Sequence, residues 1–171
     1  MDIANIPSRF GRSSNTPDKI VLHAIAEIVR IDRGASNWYK GKGKDIPVGD
    51  YPAWDWLEIL GLSAHVFTTP SGVNVVTRKD TQQAFHAGKD NKNSLGIEFL
   101  VSGVHDYTSF LETMKTDYLT ERQYFAGLAQ VKYWMDKWSI EKKDVYMHSE
   151  LDSRKHDPDV GFINSGFLDE I

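Results

Sequence analysis

The run Lys19-Ile20-Val21-Leu22-His23-Ala24-Ile25-Ala26 decides the fold class. It is almost wholly apolar, with three β-branched residues, and it is too short and too stiff at χ1 for a preferred helix. A continuous apolar run of this kind reads as a strand buried on both faces, as found in sheets covered by helices. Upstream, residues 1–18 are polar, with Ser13, Ser14, Asn15 and Pro17, and read as an N-terminal arm or loop. Residues 19–171 then form one domain, since 171 residues are too few for two well-cored ones.

Downstream, residues 31–51 carry Gly34, Gly41, Gly43, Gly49 and Pro47 and few large aliphatics. Loops of that length are usually functional when ordered, and the 31–56 insertion is expected to line a substrate groove. Pro52–Leu60 suits a short helix with proline in its first turn. Ser63–Thr69 and Val73–Arg78 flank Pro70-Ser71-Gly72, a hairpin signal. Ser94–Val101 is nearly all apolar and reads as a central strand. Thr120–Ser139 is the clearest helix: Thr120 and Gln123 make a capping box, and Tyr124, Leu128, Val131, Met135 and Trp138 form one apolar stripe. Asp144–His148 reads as a short strand, followed by a loop that closes in a short helix near Phe167. Alternating strands and helices give an α/β class, and the hairpin makes the central sheet mixed, flanked by helices.

The chain has six histidines and no cysteine. Disulfides, thiolate nucleophiles, iron–sulfur clusters and sulfur-built zinc sites are excluded, so any metal must sit on His, Asp or Glu. The net charge of −4 argues against a nucleic-acid partner. No stretch reaches the length of a membrane span, and residues 1–12 lack the apolar core of a signal peptide. Cytoplasmic synthesis, no membrane association and a monomer are the expectations. There is no HExxH helix, P-loop or GxSxG elbow. Lys40–Lys44 (KGKGK) reads as a flexible basic loop tip.

Two histidines fall on apolar strands, His23 within IVLHAI and His148 at the close of VYMH. Either alone fits a core ring bonded to a backbone carbonyl. Two together at strand ends also fit a site, because α/β proteins place sites there. After His148 comes Ser149-Glu150-Leu151-Asp152-Ser153-Arg154-Lys155-His156-Asp157-Pro158, from which Asp157 can return toward His148. Two imidazoles and one carboxylate would leave the open fourth position of a catalytic zinc site. On spacing alone, a solvated charged loop accounts for residues 154–157 slightly better. Glu98, in LGIEFL, is either a sheet-edge carboxylate facing water or a general base beside a metal. Lys155 is either a surface lysine or a fixed positive charge for a developing oxyanion.

Four blocks in order carry a resemblance: IVLHAI at 20–25, SAHVFTTPSG at 63–72, FHAGKDNKNSLGIEF at 85–99 and MHSELDSRKHDPD at 147–159. Together they resemble the zinc-dependent N-acetylmuramoyl-L-alanine amidases of the amidase type 2 class, which share a fold with phage lysozyme-type amidases and peptidoglycan recognition proteins. The resemblance spans about Lys19 to Phe167. It implies that His23, His148 and Asp157 ligate Zn2+, and that Glu98 and Lys155 are the catalytic pair of the glutamate-bearing branch. The other branch carries a tyrosine where this chain has Ala64. His86 and Asn93 lie in blocks that line the family's groove, and Trp38, Tyr39 and Trp54 are either aromatic walls for sugar or stem peptide or packed against the domain, with the two readings even for Trp54. His65 is expected as a supporting or core residue, and His105 and His156 as surface residues. Two departures stand out. The loop from His148 to Lys155 is one residue shorter than in relatives, and the usual Asp-Pro-Gly is Asp157-Pro158-Asp159.

The implied activity is hydrolysis of the amide between N-acetylmuramic acid and L-alanine in peptidoglycan or a muropeptide, as in an endolysin or a wall-recycling enzyme. The alternatives are a peptidoglycan recognition module that does not cleave, and a zinc peptidase that cuts within the stem peptide.

Overall fold

The computed structural model describes residues 2–30 and 52–171. Among these residues, six strands form one mixed sheet: β1 (Asp2–Asn5), β2 (Lys19–Val29), β3 (Val66–Thr68), β4 (Val73–Val76), β5 (Ser94–His105) and β6 (Val145–Met147), in the order β1-β4-β3-β5-β2-β6. The hairpin β3–β4 is antiparallel and the other pairings are parallel. β5 is central, as the nearly all-apolar and buried run of its first eight residues requires. Among the described residues, six α-helices surround the sheet: α1 (Pro52–Leu60), α2 (Tyr107–Met114), α3 (Glu121–Trp138), α4 (His148–Leu151), α5 (Val160–Asn164) and α6 (Phe167–Glu170). No helix among the described residues is long and apolar enough to cross a membrane.

Strand alternation divides the core in two. Ile20, Leu22, Leu95, Ile97, Phe99 and Val101 face α3 and the C-terminal helices, where Val131, Trp134, Phe162 and Phe167 meet them. Ile25, Phe67, Val75 and Leu100 face α1 and pack on Ala53 and Leu57. His23 and Glu98 have the parity of this second face.

The start of α3 departs from the capping box. Thr120 accepts from the Gln123 backbone N–H at 3.1 Å, but the Gln123 side chain does not reach back. It is fully buried and donates to the carbonyls of Thr68 and Leu100 at 2.8 and 2.9 Å, tying the helix to β3 and β5. The buried face of α3 accordingly runs through Gln123, Gly127, Gln130, Val131 and Trp134 as well as Leu128. Tyr124, Met135 and Trp138 of the expected stripe are only partly buried against the core.

Residues 1–18, an arm by composition, put Asp2–Asn5 into the sheet alongside β4. The hairpin edge otherwise leaves backbone donors and acceptors open, and a strand needs little apolar content to satisfy them. Beyond β1, Ser8 donates to the Glu58 carboxylate of α1 and Arg9 pairs with it at 3.0 Å. Arg78 reaches the carbonyls of Ser8 and Arg12.

Candidate metal centre

β6 is short, and the chain turns directly from it into α4. His148, expected to close the strand, is the first residue of that helix. Glu150 accepts from the Met147 backbone N–H at 2.6 Å and fixes this turn. Asp152 accepts from the backbone N–H of Arg154 and grips its guanidinium with both oxygens, at 2.9 and 2.8 Å. The Ser149 N–H donates to the Asp157 carbonyl at 3.0 Å, which folds the loop back on α4.

This fold-back brings Asp157 onto the two strand histidines. His23 Nδ1 and His148 Nδ1 are 3.0 Å apart, and Asp157 Oδ2 lies 3.3 Å from the first and 3.1 Å from the second. Both rings are buried and the carboxylate is nearly so. The three atoms are the one metal-ligand group among the described residues. A tetrahedral ion with ligand bonds of about 2.0–2.1 Å separates its ligands by roughly 3.3 Å, close to these edges. Two neutral imidazoles turning acceptor nitrogens toward each other and a carboxylate repel unless a cation lies between them. The residues therefore fit a metal ion.

The charge balance agrees. Burial pushes the His23 pKa down, more than the neighbouring Asp157 carboxylate raises it. Burial would raise Asp157, but the two imidazoles of His148 and His23 beside it outweigh this and hold the carboxyl well below the usual range. Glu98 is 6 % exposed and is the register partner of His23 on the neighbouring strand. Burial drives its pKa well up, Asp157 adds to this, and Lys155 opposes it. Lys155 is exposed, with its backbone N–H on the Asp152 carbonyl. A cleft of about 350 Å³ adjoins the centre, lined by Tyr107, Phe110 and Leu111 of α2 and by Arg154, Lys155 and Asp157.

The groove expectations fare differently. His86 has both ring nitrogens bonded within the protein: Nδ1 is 2.9 Å from His23 Nε2, and Nε2 is 3.0 Å from Ser94 Oγ. It stands against His23, on the side of that ring away from His148 and Asp157. Burial first, then the three neighbouring histidines, keep it well below its ordinary pKa. Asn93 occupies the left-handed turn before β5 (φ 61°), five residues or about 16 Å of extended chain from Glu98, where it serves the turn. Trp54 packs against the apolar cluster under α1, and its indole N–H has no partner among the described residues. Trp38, Tyr39 and most of the 31–56 insertion lie outside the described residues. His65 is a core residue, accepting from the Gly96 N–H and facing the Gln82 carbonyl. His156 is exposed and His105 is half-buried.

Sequence reasoning missed α2, although its signal is present. Asp106 accepts from the Ser109 N–H as an N-cap, and Tyr107, Phe110, Leu111 and Met114 have helical spacing. Ser94 left no such signal, because its role exists only once two segments meet.

A family model described as N-acetylmuramoyl-L-alanine amidase matches residues 13–160. No curated protein matches the chain by sequence. Among solved structures, the chain resembles an AmpD derivative (21% identity, TM-score 0.68, covering 99% of this chain and 94% of that one). It also resembles the N-acetylmuramoyl-L-alanine amidase LysC from Clostridium intestinale URNW (16%, 0.63, 99% and 97%) and the catalytic domain of XlyA (18%, 0.62, 100% and 99%). At these identities the structures speak for the fold; the family model, which spans most of the chain and all five candidate ligand and catalytic positions, carries the assignment. The chain belongs to the N-acetylmuramoyl-L-alanine amidase family and is a hydrolase of that amide bond.

Proposed function

We propose that the chain is a zinc-dependent amidase that separates the lactyl carbonyl of N-acetylmuramic acid from L-alanine, in peptidoglycan or its soluble fragments, acting as a monomer. The observation that carries the zinc assignment is the triangle of His23 Nδ1, His148 Nδ1 and Asp157 Oδ2, with edges of 3.0–3.3 Å. When bound there, zinc supplies Lewis acidity that polarises the scissile carbonyl and acidifies water. His23, His148 and Asp157 would hold the ion. Glu98 accepts a proton from the attacking water and delivers it to the leaving amine nitrogen. Its burial supports this role, because desolvation raises the carboxyl's pKa and so makes it a stronger proton acceptor. Lys155 Nζ donates to the oxyanion that develops on the carbonyl oxygen. The cleft beside α2 offers the apolar rings of Tyr107 and Phe110 to the substrate, next to the cations of the 154–155 segment.

The test is digestion of purified peptidoglycan and of a soluble muropeptide, with and without zinc. New L-alanine amino termini without new reducing sugars are expected, and the preferred substrate separates wall cleavage from fragment recycling. Zinc-loaded protein that binds the polymer and releases nothing overturns the enzyme reading. Release of D-alanine or of internal peptides replaces it with a stem-peptide peptidase.

A further inference from the structure

The hydrogen bonds behind His23 run in one direction. Ser94 Oγ has a single proton and donates it to the Asp90 carbonyl at 2.6 Å. Toward His86 Nε2, 3.0 Å away, the hydroxyl can then only accept, so Nε2 of His86 carries the hydrogen. A neutral imidazole has one N–H, which leaves His86 Nδ1 as a lone pair. That lone pair faces His23 Nε2 at 2.9 Å and must receive a hydrogen from it. His23 is thereby committed to the Nε2–H form, and its Nδ1 lone pair is turned toward His148 and Asp157.

The relay is held in place by the surrounding chain. Asn91 Oδ1 accepts from the backbone N–H groups of both His86 and Ala87, at 2.7 and 2.6 Å, and fixes the segment that carries the ring. Gly96 provides the seat: a Cβ there would stand 2.6 Å from His86 Nδ1 and 2.7 Å from its Cγ. Any side chain at position 96 would push the ring off His23.

We infer that His86 is a positioning residue that, with Ser94 and the Asp90 carbonyl behind it, fixes the tautomer and ring orientation of His23 for metal binding. The inference rests on the proposed metal centre. A ligand histidine free to place its hydrogen on Nδ1 would spend part of its population in a form that cannot bind, and loss of such an outer partner typically costs 10–100-fold in metal affinity.

Two measurements test it, neither of them activity. Two-dimensional ¹H–¹⁵N spectra of the imidazoles in metal-free protein report tautomers directly: His23 and His86 are both expected as Nε2–H, with His23 becoming mixed in His86→Leu. Competition with a chromophoric chelator gives the zinc affinity, which is expected to fall about 10–100-fold in His86→Leu. It is expected to recover to within about threefold of wild type in His86→Asn, whose Oδ1 keeps an acceptor near the position of Nδ1. If His86→Leu does not fold by circular dichroism, Ser94→Ala carries the test, with His23 mixed and affinity down several-fold. Wild-type protein that binds zinc, with unchanged affinity and an unchanged His23 tautomer in the variants, overturns the relay alone. Wild-type protein that takes up no zinc, or a His23→Ala variant that binds as well as wild type, overturns the metal centre beneath it.

Discussion

Glu98 stands beside His23 as its register partner on the adjacent parallel strand, so a buried carboxylate and a buried imidazole share one face of the sheet. The carboxylate is outside the three-atom metal group, which predicts that binding and turnover separate. Glu98→Gln should retain zinc at wild-type stoichiometry while turnover falls about 10²–10⁴-fold, the usual worth of a general acid–base. Elemental analysis and a muropeptide cleavage assay on the same sample decide it; near-normal turnover rules out the base assignment.

Asp157→Ala removes one corner of the metal triangle and leaves two buried imidazoles facing each other. Zinc content should drop to a small fraction of wild type after dialysis, and activity should fall with it. For the wild-type protein, a strong chelator should abolish turnover and zinc should restore it. Activity that survives exhaustive chelation contradicts the metal dependence.

Lys155 is exposed, so replacing it should hardly disturb folding. Lys155→Met is expected to leave the melting temperature within about 2 °C of wild type, because surface changes stay within roughly 0.5 kcal/mol. Its kcat should fall about 10–100-fold with KM nearly unchanged, as expected for a contact made only in the transition state. An equal loss carried entirely by KM would make Lys155 a binding residue instead.

His65 links stability to acid. Burial lowers its pKa from 6.5 to about 4, against the weaker opposing effect of the Gln82 carbonyl. The folded state therefore binds this proton less readily than the unfolded chain. The stability is fully present above pH 6.5 and is lost as pH falls toward 4, by about 2 kcal/mol between pH 7 and pH 5 for this residue. Urea unfolding should show a steeper loss over that interval in wild type than in His65→Gln, even though the variant starts less stable at pH 7. Parallel slopes would remove His65 from the account.

Gly127 lets α3 lie against β5: a Cβ there would stand 2.3 Å from Phe99 Cε1, a ring with no exposed surface. Gly127→Ala improves helix propensity yet should destabilise the protein by roughly 2 kcal/mol through overpacking, or about 5 °C in the thermal midpoint. An unchanged or higher midpoint would show that Phe99 can yield.

Much of the fold was legible in the chain. The runs at Lys19 and Ser94 were apolar enough to demand burial on both faces, Pro70-Ser71-Gly72 announced the hairpin, and Pro52–Leu60 and Thr120–Ser139 had helical spacing. β1 escaped because an edge strand is held by backbone pairing, which polar residues serve as well as apolar ones. The buried role of Gln123 escaped because a glutamine three residues after a threonine looks the same whether it caps the helix or reaches into the sheet.

The sequence by itself determined the chemistry available here. Without cysteine, a metal had to rest on imidazole and carboxylate, and four ordered blocks named His23, His148 and Asp157 for it. What only the tertiary structure decided is how those groups meet. Residues 125 positions apart bring their nitrogens to 3.0 Å only when β6 pairs with β2 and the loop after α4 folds back. The same meeting sets His86 against His23. A histidine's role is set by which of its nitrogens find partners, and partners from distant segments leave no periodicity, spacing or composition for the sequence to show.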